Sequence, residues 1–409
     1  VERTIVGIDV GTTKVCTLVG EVSEDESLRI VGVGTVPSRG IRKGVIVNVA
    51  EATQAIRASV EKAERVSGYE IQRAHVSLAG AHVTSLNSRG VIAVQHGERG
   101  IAPEEVDRAL EAARAIAIPH DREVVHIIPR GYTVDGQEGI RDPVGMVGFR
   151  LEVEAHIITG AVSSIHNLMR CVEDAGVGVD ELVLDPLASG EAVLSDTERD
   201  MGVVLVDIGG GTTDIAVFIE GSIWHTTVLA VGGQHLTNDI AVCIKMPTAA
   251  AEEAKIQYGH ACPDTVDATE TIQVNAFGDN VASKVLRREL SQVIEARVEE
   301  ILSLVMQEIK RSGYDGLLPA GVVLCGGTAQ LRGIRELARQ VLKLPVRVGG
   351  PGELQGLTDT IMSPAFATSV GLLRWGQRQD AINSNVPRRG PNIGGRFASW
   401  FRALLPDRG

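Results

Sequence analysis

The sequence predicts an α/β protein built from two related halves, with a small α+β insertion in the first half. Three observations carry this expectation. The stretch Val204 to Phe218 runs an apolar strand into Asp207, three glycines and two threonines, then leads away through alternating apolar residues (Ile215, Val217, Ile219), the pattern of a β-hairpin. A weaker copy, Asp9-Val10-Gly11-Thr12-Thr13-Lys14, lies between the strand Thr4 to Val10 and a returning strand Val15 to Glu21. Residues 74–160 carry a strand and helix pattern of their own, separating the two halves.

The paired hairpins point to phosphate. Glycines let backbone approach a ligand closely, and successive N–H groups with flanking threonine hydroxyls form an anion nest from Gly209, Gly210, Gly211, Thr212 and Thr213. Asp207 at the mouth of that nest repels phosphate unless a divalent cation, most simply Mg²⁺, lies between them, and Asp9 takes the same place in the first copy. Alone, the Asp-x-Gly-Gly-Gly-Thr-Thr-Asp run reads as an ordinary glycine-rich turn. Two copies facing each other can grip one polyphosphate from both sides, with Lys14 adding a point charge for a β- or γ-phosphate. Each copy sits between two strands, which argues against a P-loop or a dinucleotide fingerprint, since both need a helix directly after the glycines.

Composition bounds the rest. The 409 residues are 44% hydrophobic and 3% aromatic, enough apolar content for about two to four domains with sizeable cores. A net charge of −12 argues against nucleic acid as a partner, although residues 378–409 carry a local +4 suited to something anionic. Five scattered cysteines without CxxC spacing fit reduced thiols in the cytoplasm. Neither a signal peptide nor an apolar run long enough to span a membrane is expected.

Taken in order, Asn48 to Ser67 is expected as a helix, started by Asn48, stopped by Gly68 and apolar at Val49, Ala52, Ile56, Val60 and Ala63. The insertion places strands at Val76 to Leu78, Val91 to Val94, Val124 to Ile128 and Leu151 to Ile158 around a helix from Pro103 to Ile116. Its histidines show no metal-ligand spacing. A helix from Ser163 to Asp174 and a strand from Val179 to Leu184 lead to Asp185, which reads either as an acid facing a ligand or as a helix N-cap. Gly232 and Gly233 open the next helix. Thr248 to Tyr258 follows, with Glu252 and Lys255 on one helical face. Ser283 to Arg311 reads as the longest amphipathic helix, with Arg287, Arg288 and Arg297 off its apolar stripe. A buried strand then enters Gly326-Gly327-Thr328, a helix spans Leu331 to Leu342, and the final core helix spans Pro364 to Trp375.

From Gln377 to Gly395 the composition is that of a linker, with an r.m.s. span of about 25 Å. Beyond it, Phe397, Trp400, Phe401, Leu404 and Leu405 form one stripe of a short amphipathic helix, with Arg396 and Arg402 off the stripe. It covers about 16 Å, so it can lie in a membrane interface but cannot cross the bilayer. Docking on the core or on a neighbouring subunit is the other reading. Full burial of five large side chains contributes up to roughly 8 to 12 kcal/mol, against about 1.5 kcal/mol for each of some ten residues ordered, so one tail binds weakly and several tails on one assembly gain by multivalency.

Five ordered motifs, the hairpins at Asp9 to Lys14 and Asp207 to Asp214, Asp185-Pro186-Leu187-Ala188, Leu324 to Thr328 and Pro364-Ala365-Phe366-Ala367, resemble the actin, Hsp70 and sugar-kinase superfamily. Within it the chain resembles the FtsA family of bacterial cell-division actins, through Gly232-Gly233 to Ile240, Ala251 to Lys255, Leu290 to Arg297, the insertion and the terminal helix. The resemblance implies duplicated actin-like (ribonuclease H-like) domains around a nucleotide cleft that takes ATP and Mg²⁺. In the family's terms, residues 1–73 and 159–199 form subdomain 1A, 74–158 the insertion 1C, 200–231 and 308–376 subdomain 2A, and 232–307 subdomain 2B, followed by linker 377–395 and membrane helix 396–409. It implies that Gly11 to Lys14 and Gly209 to Thr213 hold phosphates and that Gly232 and Gly233 line the nucleotide site. Asp9 and Asp207 position the hydrated cation, and Asp185 orients an attacking water. Glu252 and Lys255 meet ribose or base, and Gly326, Gly327 and Thr328 the adenosine. Arg287, Arg288 and Arg297 lie near a site for the FtsZ C-terminal tail. The implied role is a polymer on the cytoplasmic side of the inner membrane at the septum, bound to anionic lipids, tethering FtsZ and recruiting later division proteins, with weak or no ATPase activity. A small-molecule kinase of the same superfamily and an actin-like pilus-assembly scaffold are the alternatives, and neither has a use for the terminal helix.

Overall fold

The computed structural model describes residues 3–274, 283–352 and 354–384. The first lobe is a six-stranded sheet in the order Gly178–Leu184, Arg73–Leu78, Arg3–Val10, Lys14–Val22, Leu28–Pro37, Gln355–Gly356. The second is a five-stranded sheet in the order Ser222–Leu229, Thr213–Ile219, Val203–Ile208, Val322–Cys325, Val346–Val348. In both, an antiparallel hairpin is flanked on its first strand by a parallel neighbour, Arg73–Leu78 beside Arg3–Val10 and Val322–Cys325 beside Val203–Ile208. That shared pattern is the duplication foreshadowed by the repeated motif. Strand Val203–Ile208 is buried along its whole length, which matches its unbroken apolar run.

Helix Val49–Ser67 covers the first sheet. Asn48 Oδ1 accepts from Glu51 N at 3.2 Å, and Gly68, at φ 77°, donates its N–H to Glu64 O. Its Ala52, Ile56, Ser59, Val60 and Ala63 are buried. The insertion forms a separate four-stranded sheet, Thr84–Ala93, Arg150–Ala161, Arg122–Val134 and Gln137–Ile140, with helix Pro103–Arg114 laid on it. One apolar core runs through the first lobe and the insertion and takes in one face of the second lobe's sheet through Val203, Leu205, Ala216, Phe218 and Val323, and a second core fills the other face of that sheet.

Two helices connect the lobes. Asp185–Val193 and Ala367–Ser384 pack so closely that a Cβ on Gly371 would lie 1.8 Å from Ala188 O. Only glycine permits that approach.

Three expectations change. Val76 to Leu78 belongs to strand Arg73–Leu78 of the large sheet rather than to the insertion, because it finds parallel partners on both sides, and the insertion's own sheet begins at Thr84. Ser283–Leu286 is a strand paired with Thr271–Val274, so the long helix starts at Arg287 and runs to Ser312. Gln377 to Ser384 continues the final helix rather than opening a linker: Gln379 is buried and Arg378 pairs with Glu191, so tertiary contacts extend it past its apolar periodicity. The remaining linker residues and the amphipathic segment 396–409 lie outside the described residues.

Gly371→Ala should lower stability by about 1 to 3 kcal/mol, the usual cost of overpacking. Gly131→Ala, whose added Cβ meets nothing within 4 Å, should be near neutral. Urea midpoints of the two variants check this, and equal midpoints would count against a tight helix crossing.

Candidate functional site

The tips of the two hairpins meet across a cleft of about 1200 Å³ between the lobes. A Cβ on Gly210 would lie 2.0 Å from Thr13 Oγ1, and one on Gly211 2.6 Å from Thr12 Oγ1, so glycine is what lets the turns face each other. Asp9, Gly11, Thr12, Thr13 and Lys14 line the cleft from the first lobe. Asp207, Gly209, Gly210, Thr212, Gly233, Glu252, Lys255, Gly326, Gly327 and Thr328 line it from the second, and Asp185 from a connecting helix.

Two buried acids are anchored by hydroxyls. Asp9 accepts from Ser369 Oγ at 2.7 Å and from Ser77 Oγ at 3.4 Å. Asp207 Oδ2 accepts from Ser189 Oγ at 2.6 Å and from Thr368 Oγ1 at 3.2 Å, and those hydroxyls lie 2.9 Å apart. Ser189 and Thr368 come from the two connecting helices, so Asp207 joins both to the second hairpin. Gly326 holds φ 87°, and a Cβ there would lie 2.3 Å from Asp207 Oδ1.

Asp185 is not an N-cap. Leu184 holds that position, and Asp185 Oδ1 is buried without a hydrogen-bond partner among the described residues. The fourth aspartate of the cleft, Asp214, is not a site residue that the sequence singles out. It pairs across the hairpin with Asp207, and its Oδ1 is likewise buried and unpartnered. The available signal was the last Asp of the motif itself, since directly opposed residues of an antiparallel pair share a face.

Electrostatics follow from this crowding. Burial first, then Asp207, pushes the Asp214 carboxyl up to about 8, with a hydrogen bond from Thr212 opposing. Burial, then Asp214, Asp9 and Asp207, raises Asp185 well above the usual carboxylate range, with Ser77 opposing. Burial also raises Asp207 against the hydrogen bond from Ser189. Oxygen donors with orphaned atoms fit a hard divalent cation. Among the described residues no group of three His, Cys, Asp or Glu is spaced to ligate a metal directly. Mg²⁺ is a hard cation that keeps several of its waters, so these oxygens could also meet it through its hydration shell.

The cations are partly committed. Lys14 Nζ donates to Ala365 O and lies 4.5 Å from the Phe366 ring centre. Lys255 Nζ donates to Glu252 Oε2 at 2.7 Å, Thr237 Oγ1 at 2.9 Å and Gly233 O at 3.1 Å. Thr328 Oγ1 donates to Gly209 O at 3.1 Å, tying the late glycine loop to the phosphate turn. Gly232 packs behind Gly209.

One expectation fails geometrically. Thr213 does not reach the cleft: strand alternation turns it away from Thr212, and its hydroxyl donates to Val231 O at 2.8 Å. Arg287, Arg288 and Arg297 are spread along one helix. Arg287 pairs with Glu270, Arg288 donates to Pro263 O at 3.2 Å, and Arg297, about 15 Å further along the helix, pairs with Asp239 and Glu300.

Duplicated lobes closing on a polar cleft, with paired Asp-Gly-Thr hairpins at its floor, define an actin-like protein. Among solved structures, the PilM-PilN type IV pilus biogenesis complex matches with TM-score 0.66 at 17% identity, covering 91% of this chain and 98% of that one. MreB5 of Spiroplasma citri bound to ADP matches with TM-score 0.56 at 15% identity, covering 94% and 99%. The model of the family "Cell division protein FtsA" matches residues 204–371, and "SHS2 domain inserted in FTSA" matches residues 80–159. The cell division protein FtsA of Pseudomonas aeruginosa is 45% identical over 386 residues, 94% of this chain and 92% of that protein. This chain belongs to the FtsA family of cell-division proteins.

Asp214 also sets a pH dependence. A carboxyl whose folded value exceeds its unfolded value takes up protons on folding, so its penalty grows as pH rises from 3.8 to about 8 and levels off above that. Asp214→Asn should flatten the fall in melting temperature of nucleotide-free protein across that window. Parallel curves for wild type and variant would contradict the assignment.

Proposed function

We propose that the cleft binds ATP with Mg²⁺ and that the nucleotide sets the shape and assembly of a polymer on the inner face of the cytoplasmic membrane. The observation that carries this reading is the tip-to-tip meeting of the two hairpins above four acids, Asp9, Asp185, Asp207 and Asp214. The ADP complex of the MreB5 neighbour supports a nucleotide in such a cleft. Gly11 to Lys14 and Gly209 to Thr212 cradle the phosphates, Asp9 and Asp207 hold hydrated Mg²⁺, and Glu252, Lys255 and Gly326 to Thr328 receive the adenosine. Bound Mg²⁺ offsets the charge of acids and phosphates together. Asp185 is the residue placed to orient an attacking water, and weak or no ATPase activity is the expectation for this cleft.

Family membership extends the reading outward. The polymer tethers FtsZ by its C-terminal tail, recruits later division proteins at the septum, and holds anionic lipid through Phe397, Trp400, Phe401, Leu404 and Leu405, flanked by Arg396 and Arg402. Among the described residues no helix is long and apolar enough to cross a membrane, which leaves the terminal segment as the proposed membrane contact. Arg287, Arg288 and Arg297 are the proposed contacts for the acidic groups of a tail, which would compete with Glu270 for Arg287 and with Asp239 and Glu300 for Arg297.

Asp207→Ala should weaken Mg²⁺-dependent ATP binding about tenfold or more, the size of a lost contact to a charged group. Equal wild-type affinity with chelator present would refute the cation bridge. Deleting residues 396–409 should release the protein from anionic liposomes in a pelleting assay while ATP binding persists. Unchanged pelleting would sink the membrane reading.

A further inference from the structure

A third segment reaches the cleft beside the paired hairpins. Residues 40–48 form a small turn in which Ile41–Arg42 pairs with Val45–Ile46, and Lys43 holds φ 51°, a left-handed conformation that residues with side chains adopt only when their surroundings enforce it. Contacts enforce it here. Gly44 N donates to Thr12 Oγ1 at 3.1 Å, and Ser38 N to Thr13 O at 3.0 Å, so the turn is bound to the first hairpin. Lys43 Cα stands 2.9 Å from the place a Cβ on Gly211 would occupy, so it also abuts the second. A single first-lobe turn therefore touches the tips of both phosphate loops.

The turn also brings a cation. Of the basic residues lining the cleft, Lys14 is directed to Ala365 O and the Phe366 ring, and Lys255 to Glu252. Arg332 lies on the second lobe beside the late glycine loop. Arg42 is exposed, lines the cleft, and makes no ion pair with a carboxylate among the described residues. A triphosphate by itself carries more negative charge than one divalent ion balances, so a free guanidinium in this cleft has an electrostatic partner waiting.

We infer that Arg42 contacts the terminal phosphate of the nucleotide and that the turn at residues 40–48 distinguishes a nucleoside triphosphate from a diphosphate. The inference rests on the nucleotide reading above. Glu252, Lys255 and Gly326 to Thr328, the adenosine side of that reading, all belong to the second lobe, whereas the turn belongs to the first and adjoins the hairpin tips. The phosphate farthest from the adenosine therefore comes nearest to Arg42. A guanidinium presents a planar fork of donors that matches phosphate oxygens. Because the turn abuts Thr12 and Gly211 at once, a third phosphate held by Arg42 adds a link across the lobes that a diphosphate cannot supply.

The test is a titration of the full chain and of Arg42→Gln with fluorescent ATP and ADP analogues in Mg²⁺, with melting curves of both proteins. The variant should bind the triphosphate about tenfold or more weakly and the diphosphate within about twofold of wild type, at an unchanged melting temperature. Arg42→Lys should restore part of the triphosphate preference. Equal weakening for both nucleotides, or none for either, overturns the assignment while the nucleotide reading stands. Wild-type protein that binds neither analogue overturns both.

Discussion

The two connecting helices and the second hairpin converge on the carboxylate of Asp207. Its carboxylate accepts one hydroxyl from each connecting helix, Ser189 and Thr368, while its strand carries the second hairpin. A buried acid is costly to leave unsatisfied, so those hydroxyls fix the helices against the hairpin. Asp9 repeats the device in the first lobe with Ser77 and Ser369. Since Thr368 and Ser369 are adjacent on the final helix, one turn of that helix is tied to the acids of both lobes. A change in the charge balance at either acid is felt where the lobes join.

That arrangement makes the cleft polar and strained toward binding. Among the described residues, Asp185 and Asp214 each keep a buried oxygen without a hydrogen-bond partner, and burial pushes both carboxyls up. A hydrated cation with phosphate would supply the missing partners and favour the ionised forms. On the proposed reading, such binding would draw the lobes toward closure by electrostatics rather than by apolar contact. The helix crossing at Gly371 and Ala188 is where such closure has least room to slip.

The insertion is not an independent appendage. Its sheet leans on the edge strand Ser222–Leu229 of the second lobe through Ser222 Oγ donating to Pro129 O at 2.6 Å and Ser85 Oγ to Thr226 O at 2.8 Å. His156, which burial depresses to about 3, stays neutral, its Nδ1 2.7 Å from Asn87 Oδ1 and its Nε2 2.9 Å from Thr226 Oγ1. Arg130 lies 4.3 Å from the Trp224 ring centre and donates to Tyr314 OH at 3.0 Å. His156 thus serves as a neutral polar contact between the insertion and the second lobe. The joint is polar and aromatic, so the insertion reports on the second lobe although it grows from the first.

The hairpins, the helices with clear caps, the insertion's separate pattern and the family are legible in the residues alone. Each of these is written in local signals: periodicity, glycine turns, an Asn48 cap, a motif repeated at Asp9 and Asp207. The folded chain settled which strand Arg73–Leu78 would join, that Ser283–Leu286 would find Thr271–Val274, and that the final helix would continue to Ser384. It also decided that Thr213 turns away from the cleft, that Asp214 completes the acids, and that the turn at Lys43 touches both hairpins. The reason is the same in each case. Pairing partners, buried hydroxyls and opposed turns are contacts between residues far apart in the chain, and a period or a motif records the shape of a segment but not what it will face.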